Sequence, residues 1–475
     1  MANIIGRKEE QDELQKSLFS GKPEFLVVYG RRRVGKTFLI KEYFNQQFSF
    51  YATGMLDKKT RDQLKAFHES LLEYGDLNEK APKDWFEAFR RLKKLLLEEK
   101  VNRDPVSGRR VVFLDEVPWM DTPRSDFRSA LDYFWNSWGS SQSDLMLILC
   151  GSATSWIIKH ILANHGGFYN RITNQIYLAP FSLYECEEYY RSNGLSLNRR
   201  QILDSYMVFG GIPYYMNYLD RRLSVPQNVD KLIFSENGKL RYEYDHLFQS
   251  LYRNSENHRK LIEVMAGRRE GMQRTELAEL SGVSDGEGLT KAIAELEQCG
   301  FIRKYRNYTK EKQGCFYQVT DPFVIFAINF QKNEKVGSWI NHYNTPGYYA
   351  WCGNAFEIVC LNHVPQIKAA LGISGVESMQ YSWRSSKSKP GVQIDLLIDR
   401  RDGIINLCEM KYTEKEYAIN AAYEKDLIHK QAVFREEVNT EKAVHITLIS
   451  AEGLKHNTHS DVVVHVITKE ELFMP

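Results

Sequence analysis

The first 185 residues alternate short apolar runs with segments of helical periodicity. Residues 25–29, 111–114 and 145–149 are apolar throughout and end at turn or polar residues. Runs of that length, with no polar position on either face, predict strands of a parallel sheet covered by helices on both sides. From 186 to about 250 the pattern becomes helical and rich in tyrosine, and from about 350 strand pairs return. Between 255 and 320 the spacing predicts an amphipathic stretch over 258–265 and a short helix from Arg274 with a glycine turn at Gly282. A further helix over 289–298 is apolar at Leu289, Ile293 and Leu296. Thr275 is the expected N-cap of the short helix. Residues 301–306 and 315–319 read as a β-hairpin, so this region has the pattern of a winged helix.

At 475 residues the chain exceeds one ordinary domain several-fold, and 43% hydrophobic with 26% charged residues excludes a disordered or low-complexity chain. A formal net charge of +2 excludes a uniformly basic protein, so any nucleic-acid surface has to be local. Charge follows Ile4-Ile5 at once, which predicts no secretory signal, and no run is long enough to span a bilayer. The seven cysteines are odd in number, scattered and free of Cys-x-x-Cys pairs, so reduced thiols in the cytoplasm are expected.

Gly30-Arg31-Arg32-Arg33-Val34-Gly35-Lys36-Thr37 fits G-x-x-x-x-G-K-[ST] between an expected strand and an expected helix. Glycines let backbone N–H groups wrap phosphates, and the helix N-terminus adds its dipole. Lys36 would reach the β- and γ-phosphates of ATP, and the Thr37 hydroxyl would ligate Mg²⁺. The run 111–114 ends in Asp115-Glu116, which assigns Asp115 to the metal and Glu116 to the attacking water. The run ending at Cys150 leads into Gly151-Ser152, where Ser152 either senses the γ-phosphate or caps the following helix.

Together with Ile5-Gly6-Arg7-Glu9, Tyr169-Asn170-Arg171, the stretch 176–182 and Gly210-Gly211-Ile212-Pro213, these motifs resemble a prokaryotic ATPase family related to AAA+ and STAND nucleoside triphosphatases. The resemblance covers about the first 250 residues and implies a helical lid, with Gly211 and Pro213 in its nucleotide-facing turn. It also implies an arginine finger at Arg171, acting in cis or from a neighbouring subunit; the alternative is a surface salt bridge.

In the helix-turn-helix region, Arg303, Lys304, Arg306, Lys310 and Lys312 would make the wing basic and suited to phosphates. Glu295 and Glu297 against the single Lys291 make the last helix poor for DNA, so protein packing stays open beside DNA contact.

Residues 392–399 and 404–411 are two strand-like runs joined through Gly403. A three-residue loop with Gly403 in the left-handed conformation sets Asp395 opposite Glu409 and Gln393 opposite Lys411 on one face. Ile-Asp, thirteen residues, then Glu-Met-Lys resembles the PD-(D/E)xK nuclease core, without the proline. The resemblance implies Mg²⁺ held by Asp395 and Glu409, water oriented by Lys411, and an acid from an earlier helix, for which Glu357 fits. Arg384, Lys387 and Lys389 would add phosphate contacts.

The expected fold is α/β: a P-loop NTPase (AAA+-like) parallel sheet with a helical lid, a winged helix and a restriction-endonuclease-like α/β C-terminal domain. The expected boundaries are 1–185, 186–252, 253–330 and 331–475. The expected function is a Mg²⁺-dependent ATPase controlling a half that contacts or cleaves double-stranded DNA. The alternative is a STAND-like switch that recognises a protein partner and uses the nuclease-like fold as scaffold. A homo-oligomer follows if Arg171 acts in trans; no membrane partner is expected.

Overall fold

The computed structural model describes all residues except 1–3, 164–167, 169, 253, 309–314, 333–337, 386 and 389–390. Tyr169, Lys310, Lys312 and Lys389 lie outside the described residues. The chain forms two compact units, one over the described residues up to Pro180 with a short stretch from Gln249, the other over Phe181–Phe248 and Asn254–Pro475.

The first unit is built on five strands: β1 (Glu24–Tyr29), β2 (Phe50–Thr53), β3 (Arg110–Asp115), β4 (Leu145–Gly151) and β5 (Asn174–Tyr177). All pairings are parallel, in the order β2-β3-β4-β1-β5. β3 and β4 are buried at every position, as expected of strands covered on both faces. One face packs on the helix Trp85–Leu96, where Asp84 accepts the Glu87 N–H at 2.8 Å as N-cap, and on the helix Phe127–Ser137. Trp85 and Phe127 meet edge to face at 4.8 Å over this core. Because the strands are parallel, β1, β2, β3 and β4 all end at one edge of the sheet, and there the loops that begin with Gly30, Gly54, Glu116 and Ser152 gather.

In the second unit the helices Glu256–Ala266, Arg274–Ser281 and Glu287–Gln298 follow the expected spacing. The short helix is capped by Gln273 in a box with Glu276, so Thr275 sits inside its first turn and is not the cap. Beside them a small antiparallel sheet joins β6 (Met272–Gln273), β7 (Ile302–Arg306) and β8 (Cys315–Val319), of which β6 was not expected.

A second five-stranded sheet has the order β15-β13-β11-β10-β9, from β9 (Ser378–Arg384), β10 (Gln393–Arg400), β11 (Ile404–Lys411), β13 (Ala443–Ser450) and β15 (His465–Ile467). The first three strands pair antiparallel and the last three parallel, with the helix Ala421–Val438 in the connection from β11 to β13. The two-residue strands β12 (Tyr417–Ala418) and β14 (Leu454–Lys455) pair beside it. The hairpin turns at Gly403, whose φ of 87° needs glycine, and the register runs Leu396–Cys408, Leu397–Leu407, Ile398–Asn406, Asp399–Ile405. Asp395 and Glu409 are the next positions along the two strands, as the three-residue loop predicts. β10 also bulges against β9 between Ile394 and Leu397, next to Asp395.

His363 is buried where Leu183 N–H donates to its Nε2 at 2.9 Å and its Nδ1 faces the Val359 carbonyl at 2.7 Å. This arrangement needs the neutral ring, and burial lowers its pKa to about 4. Between that value and the ordinary 6.5 the unfolded chain binds more protons, so stability falls as pH drops through this window. Melting curves of the wild type should lose on the order of 3 kcal/mol of stability across it, and His363→Gln should flatten the dependence. Parallel pH profiles for the two proteins would exclude His363 as the group responsible.

Candidate functional site

At the carboxyl edge of the first sheet, β1 passes through Gly30 into a turn that reaches the helix Lys36–Tyr43 with Gly35 as its N-cap. Gly35 has a φ of 94°, and a Cβ there would point into open space, so the helix N-terminus presents its amides to an uncovered cradle. Lys36 is buried, and its Nζ donates to the carbonyls of Gly30 at 2.9 Å and Arg31 at 2.8 Å, which keeps the ammonium inside the loop. Arg31 and Val34 are buried, whereas Arg32 and Arg33 are half-buried. Arg7, from the N-terminal motif, donates to the Val34 carbonyl at 3.2 Å and ties the first helix to the loop.

The Thr37 hydroxyl donates to Asp115 Oδ2 at 2.8 Å, joining groups 78 residues apart. Burial raises the pKa of Asp115, the charge of Glu116 adds to the effect, and hydrogen bonds from Thr37 and Cys150 oppose it. The adjoining hydroxyl and carboxylate are hard oxygen donors, so the pair fits a hydrated Mg²⁺ beside phosphates bound in the cradle. Glu116 has a φ of 47° and turns away from the strand. Ser152 holds it with two bonds, from its hydroxyl to Oε1 at 2.7 Å and from its backbone N–H to Oε2 at 3.2 Å. The turn is packed without slack: a Cβ on Gly151 would lie 2.5 Å from Pro118 Cδ, and one on Gly54 would lie 2.4 Å from the Glu116 carbonyl oxygen. These two glycines have no part in the expected site, and only the close approach in the fold reveals them.

Arg171 is exposed and precedes β5, whose Asn174 pairs with Leu26 near the start of β1. It therefore lies toward the amino edge of the sheet, away from Lys36, Asp115 and Glu116, and the cis arginine finger is not supported. Gly211 and Pro213 belong to the second unit. Gly211 has a φ of 65° and receives the Phe181 N–H at 2.8 Å, and Pro213 opens the helix Pro213–Met216.

The second unit carries the other group of candidates. Glu357 lies on the helix Pro346–Asn362, and Arg269 donates to its Oε1. Burial raises Glu357 to about 7, and Asp395 and, more weakly, Glu409 add repulsion while Arg269 opposes it, so the three carboxylates share one field. Asp395 Oδ1 accepts from Gln393 at 2.6 Å. Lys411 lies 3.3 Å from Glu409, and Lys430 donates to both Glu409 oxygens at 3.1 and 3.2 Å. Burial favours the protonated form of Glu409, but Lys430 and then Lys411 outweigh it and hold the carboxyl below its ordinary range. Lys430, on the helix Ala421–Val438, was not among the sequence candidates, because nothing in its spacing relates it to Glu409.

Hard carboxylate oxygens suit Mg²⁺ in kind, yet among the described residues no three His, Cys, Asp or Glu are grouped so as to hold a metal ion. Two of the three carboxylates are engaged by cationic side chains instead.

Of the expected basic residues, Lys304, Arg306 and Lys387 are exposed. Arg303 is not at a free wing surface; it reaches Gln318 at 2.7 Å and Ser382 of β9 at 3.3 Å, where burial lowers its pKa. Arg384 is paired with Glu270 at 2.6 Å. On the helix Glu287–Gln298, Glu295 faces His258 at 2.7 Å, so part of its acidity serves helix packing.

Residues 4–219 match a family described as an ATPase domain predominantly from Archaea. An uncharacterised protein of Methanocaldococcus jannaschii is 25% identical over 335 residues, covering 69% of this chain and 68% of that protein. An uncharacterised ATP-binding protein of the same organism is 42% identical over 44 residues, covering 9% of this chain and 75% of that protein. Among solved structures, a Walker-type ATPase of Pyrococcus abyssi matches with a TM-score of 0.47 and 19% identity, covering 69% of this chain and 97% of that one. Among the described residues no helix is long and apolar enough to cross a membrane.

Ser152→Ala removes one of two bonds that orient Glu116 and leaves the phosphate cradle intact. ATP affinity should hold within about threefold while turnover falls on the order of tenfold or more. Steady-state hydrolysis beside equilibrium nucleotide binding separates the two; an equal loss in both would assign Ser152 to binding.

Proposed function

We propose, from the premise that residues 4–219 are an ATP-binding ATPase domain of the archaeal type with a P-loop AAA+ sheet, that this cytoplasmic protein hydrolyses ATP with Mg²⁺. Its nucleotide state would control a C-terminal half that binds and cleaves double-stranded DNA. The observation that carries the reading is the meeting of Lys36, Thr37, Asp115, Glu116 and Ser152 at one sheet edge. In this reading the amides from Gly30 through Thr37, with Arg31, Arg32, Arg33 and Val34 between the glycines and Lys36, wrap the phosphates. Lys36 balances the β- and γ-phosphate charge, and Thr37 and Asp115 hold the ion. When bound, Mg²⁺ supplies neutralisation of phosphate charge during transfer. Glu116 accepts the proton of the attacking water, and Ser152 keeps its carboxylate aimed.

The nucleotide core would span 1–185, a lid 186–252 with its turn at Gly211 and Pro213, a winged helix 253–330 and a nuclease-like domain 331–475. Arg171, at the far edge, would serve phosphate only in a neighbouring copy, so its catalytic role implies a homo-oligomer. In the C-terminal domain, Glu357, Asp395 and Glu409 would hold the divalent ion, Lys411 would orient water, and Lys304, Arg306 and Lys387 would meet DNA phosphates. The hairpin register that brings Asp395 and Glu409 side by side supports this part.

The second reading, a switch that recognises a protein partner, draws support from the cations already seated on Glu357 and Glu409.

Lys36→Ala should abolish nucleotide binding, and Glu116→Gln should bind ATP but cut turnover on the order of a hundredfold. A Glu116→Gln enzyme as fast as the wild type removes the role of Glu116. Plasmid DNA with Mg²⁺ or Mn²⁺ should be cleaved by the wild type and left intact by Asp395→Ala and Lys411→Ala. Intact plasmid under every nucleotide condition would leave the protein-partner switch as the function.

A further inference from the structure

The loop between the helix Glu256–Ala266 and β6 lies against the carboxylate face of the C-terminal sheet. Its Arg269 donates to Glu357 Oε1, and the loop is held on both sides of that contact. Gln318 of β8 donates to the Arg269 carbonyl at 2.5 Å. Arg384 of β9 pairs with Glu270 at 2.6 Å, and Tyr305 of β7 donates to the Glu270 carbonyl. The Arg269 side chain is 54% exposed, whereas Glu357 is 16% exposed, so the guanidinium reaches in from solvent toward a carboxylate that is nearly covered. A guanidinium and a divalent cation need the same carboxylate lone pairs and repel each other, so one oxygen pair does not serve both.

We propose that Arg269 is a built-in counter-ion that keeps a divalent cation off Glu357, Asp395 and Glu409 until its loop is withdrawn. The inference rests on the reading of these carboxylates as a metal site. It explains why residues of suitable chemistry form no metal-holding group among the described residues. The loop is continuous with the helices and hairpin of the 256–319 region, so a ligand that shifts that region would also lift Arg269 and open the site.

The test is binding of Mn²⁺ alone to the full chain without nucleotide, followed by the electron paramagnetic resonance signal of free Mn²⁺. Wild type, Arg269→Gln, Arg269→Lys and the double variant Arg269→Gln with Asp395→Asn are compared. Thr37 and Asp115 are intact in all four, so metal held at the phosphate loop is a common background. ATP binding at that loop checks folding. Arg269→Gln should tighten Mn²⁺ binding on the order of tenfold, and the double variant should lose the gain. Arg269→Lys, which keeps the charge but loses the fork, should fall between wild type and Arg269→Gln. If Arg269→Gln binds Mn²⁺ as the wild type does while Asp395→Asn weakens it, the carboxylates are a metal site and the counter-ion role is overturned. If no variant binds Mn²⁺ above the phosphate-loop background, both the metal site and the counter-ion role fall.

Discussion

The direction of β1, β3 and β4 is the constraint on which the nucleotide site depends. Parallel neighbours in one sheet end on the same side, so a phosphate loop after β1, an acidic pair after β3 and a serine after β4 become neighbours without any local sequence relation. The bond between Thr37 and Asp115 is the local expression of that geometry. It places a hydroxyl and a carboxylate at one point, and burial of Asp115 among fully apolar strands gives that point its electrostatic character. Reversing any of these strands would separate the groups by the strand's length.

The same parallelism decides what does not belong to the site. Arg171 enters β5 at the edge where strands begin, so its guanidinium and the phosphate loop are separated by the sheet. In a single copy it is a surface residue; a phosphate partner for it has to come from another molecule.

The C-terminal sheet solves a different problem. Antiparallel β10 and β11 bring Asp395 and Glu409 to adjoining positions, and the helix Pro346–Asn362 adds Glu357 to the same field. Buried like charges raise one another's cost, so such a face persists with counter-charge supplied. Here Lys411 and Lys430 supply it at Glu409, while Arg269 supplies it at Glu357 from a separate loop. The first two cations come from the sheet and from the helix that follows it. Arg269 comes from a region that has its own hydrogen bonds to keep, and this makes its position responsive to that region.

Much of this was legible in order of residues. Unbroken apolar runs mark strands covered on both faces because no polar side chain is tolerated there, and the glycine–lysine–threonine turn marks the phosphate cradle because its chemistry needs that spacing. Period-two alternation and Gly403 set the hairpin register because a tight turn leaves one pairing. The sequence by itself therefore determined the strands, the phosphate loop, the acidic pair and the facing carboxylates. Tertiary structure alone decided what reaches them from far along the chain: Ser152 on Glu116, Lys430 on Glu409, Arg269 on Glu357, and Arg303 turned into β9. It also decided the crowding at Gly54 and Gly151. Side-chain periodicity carries information only along one element, whereas these contacts depend on how elements pack against one another.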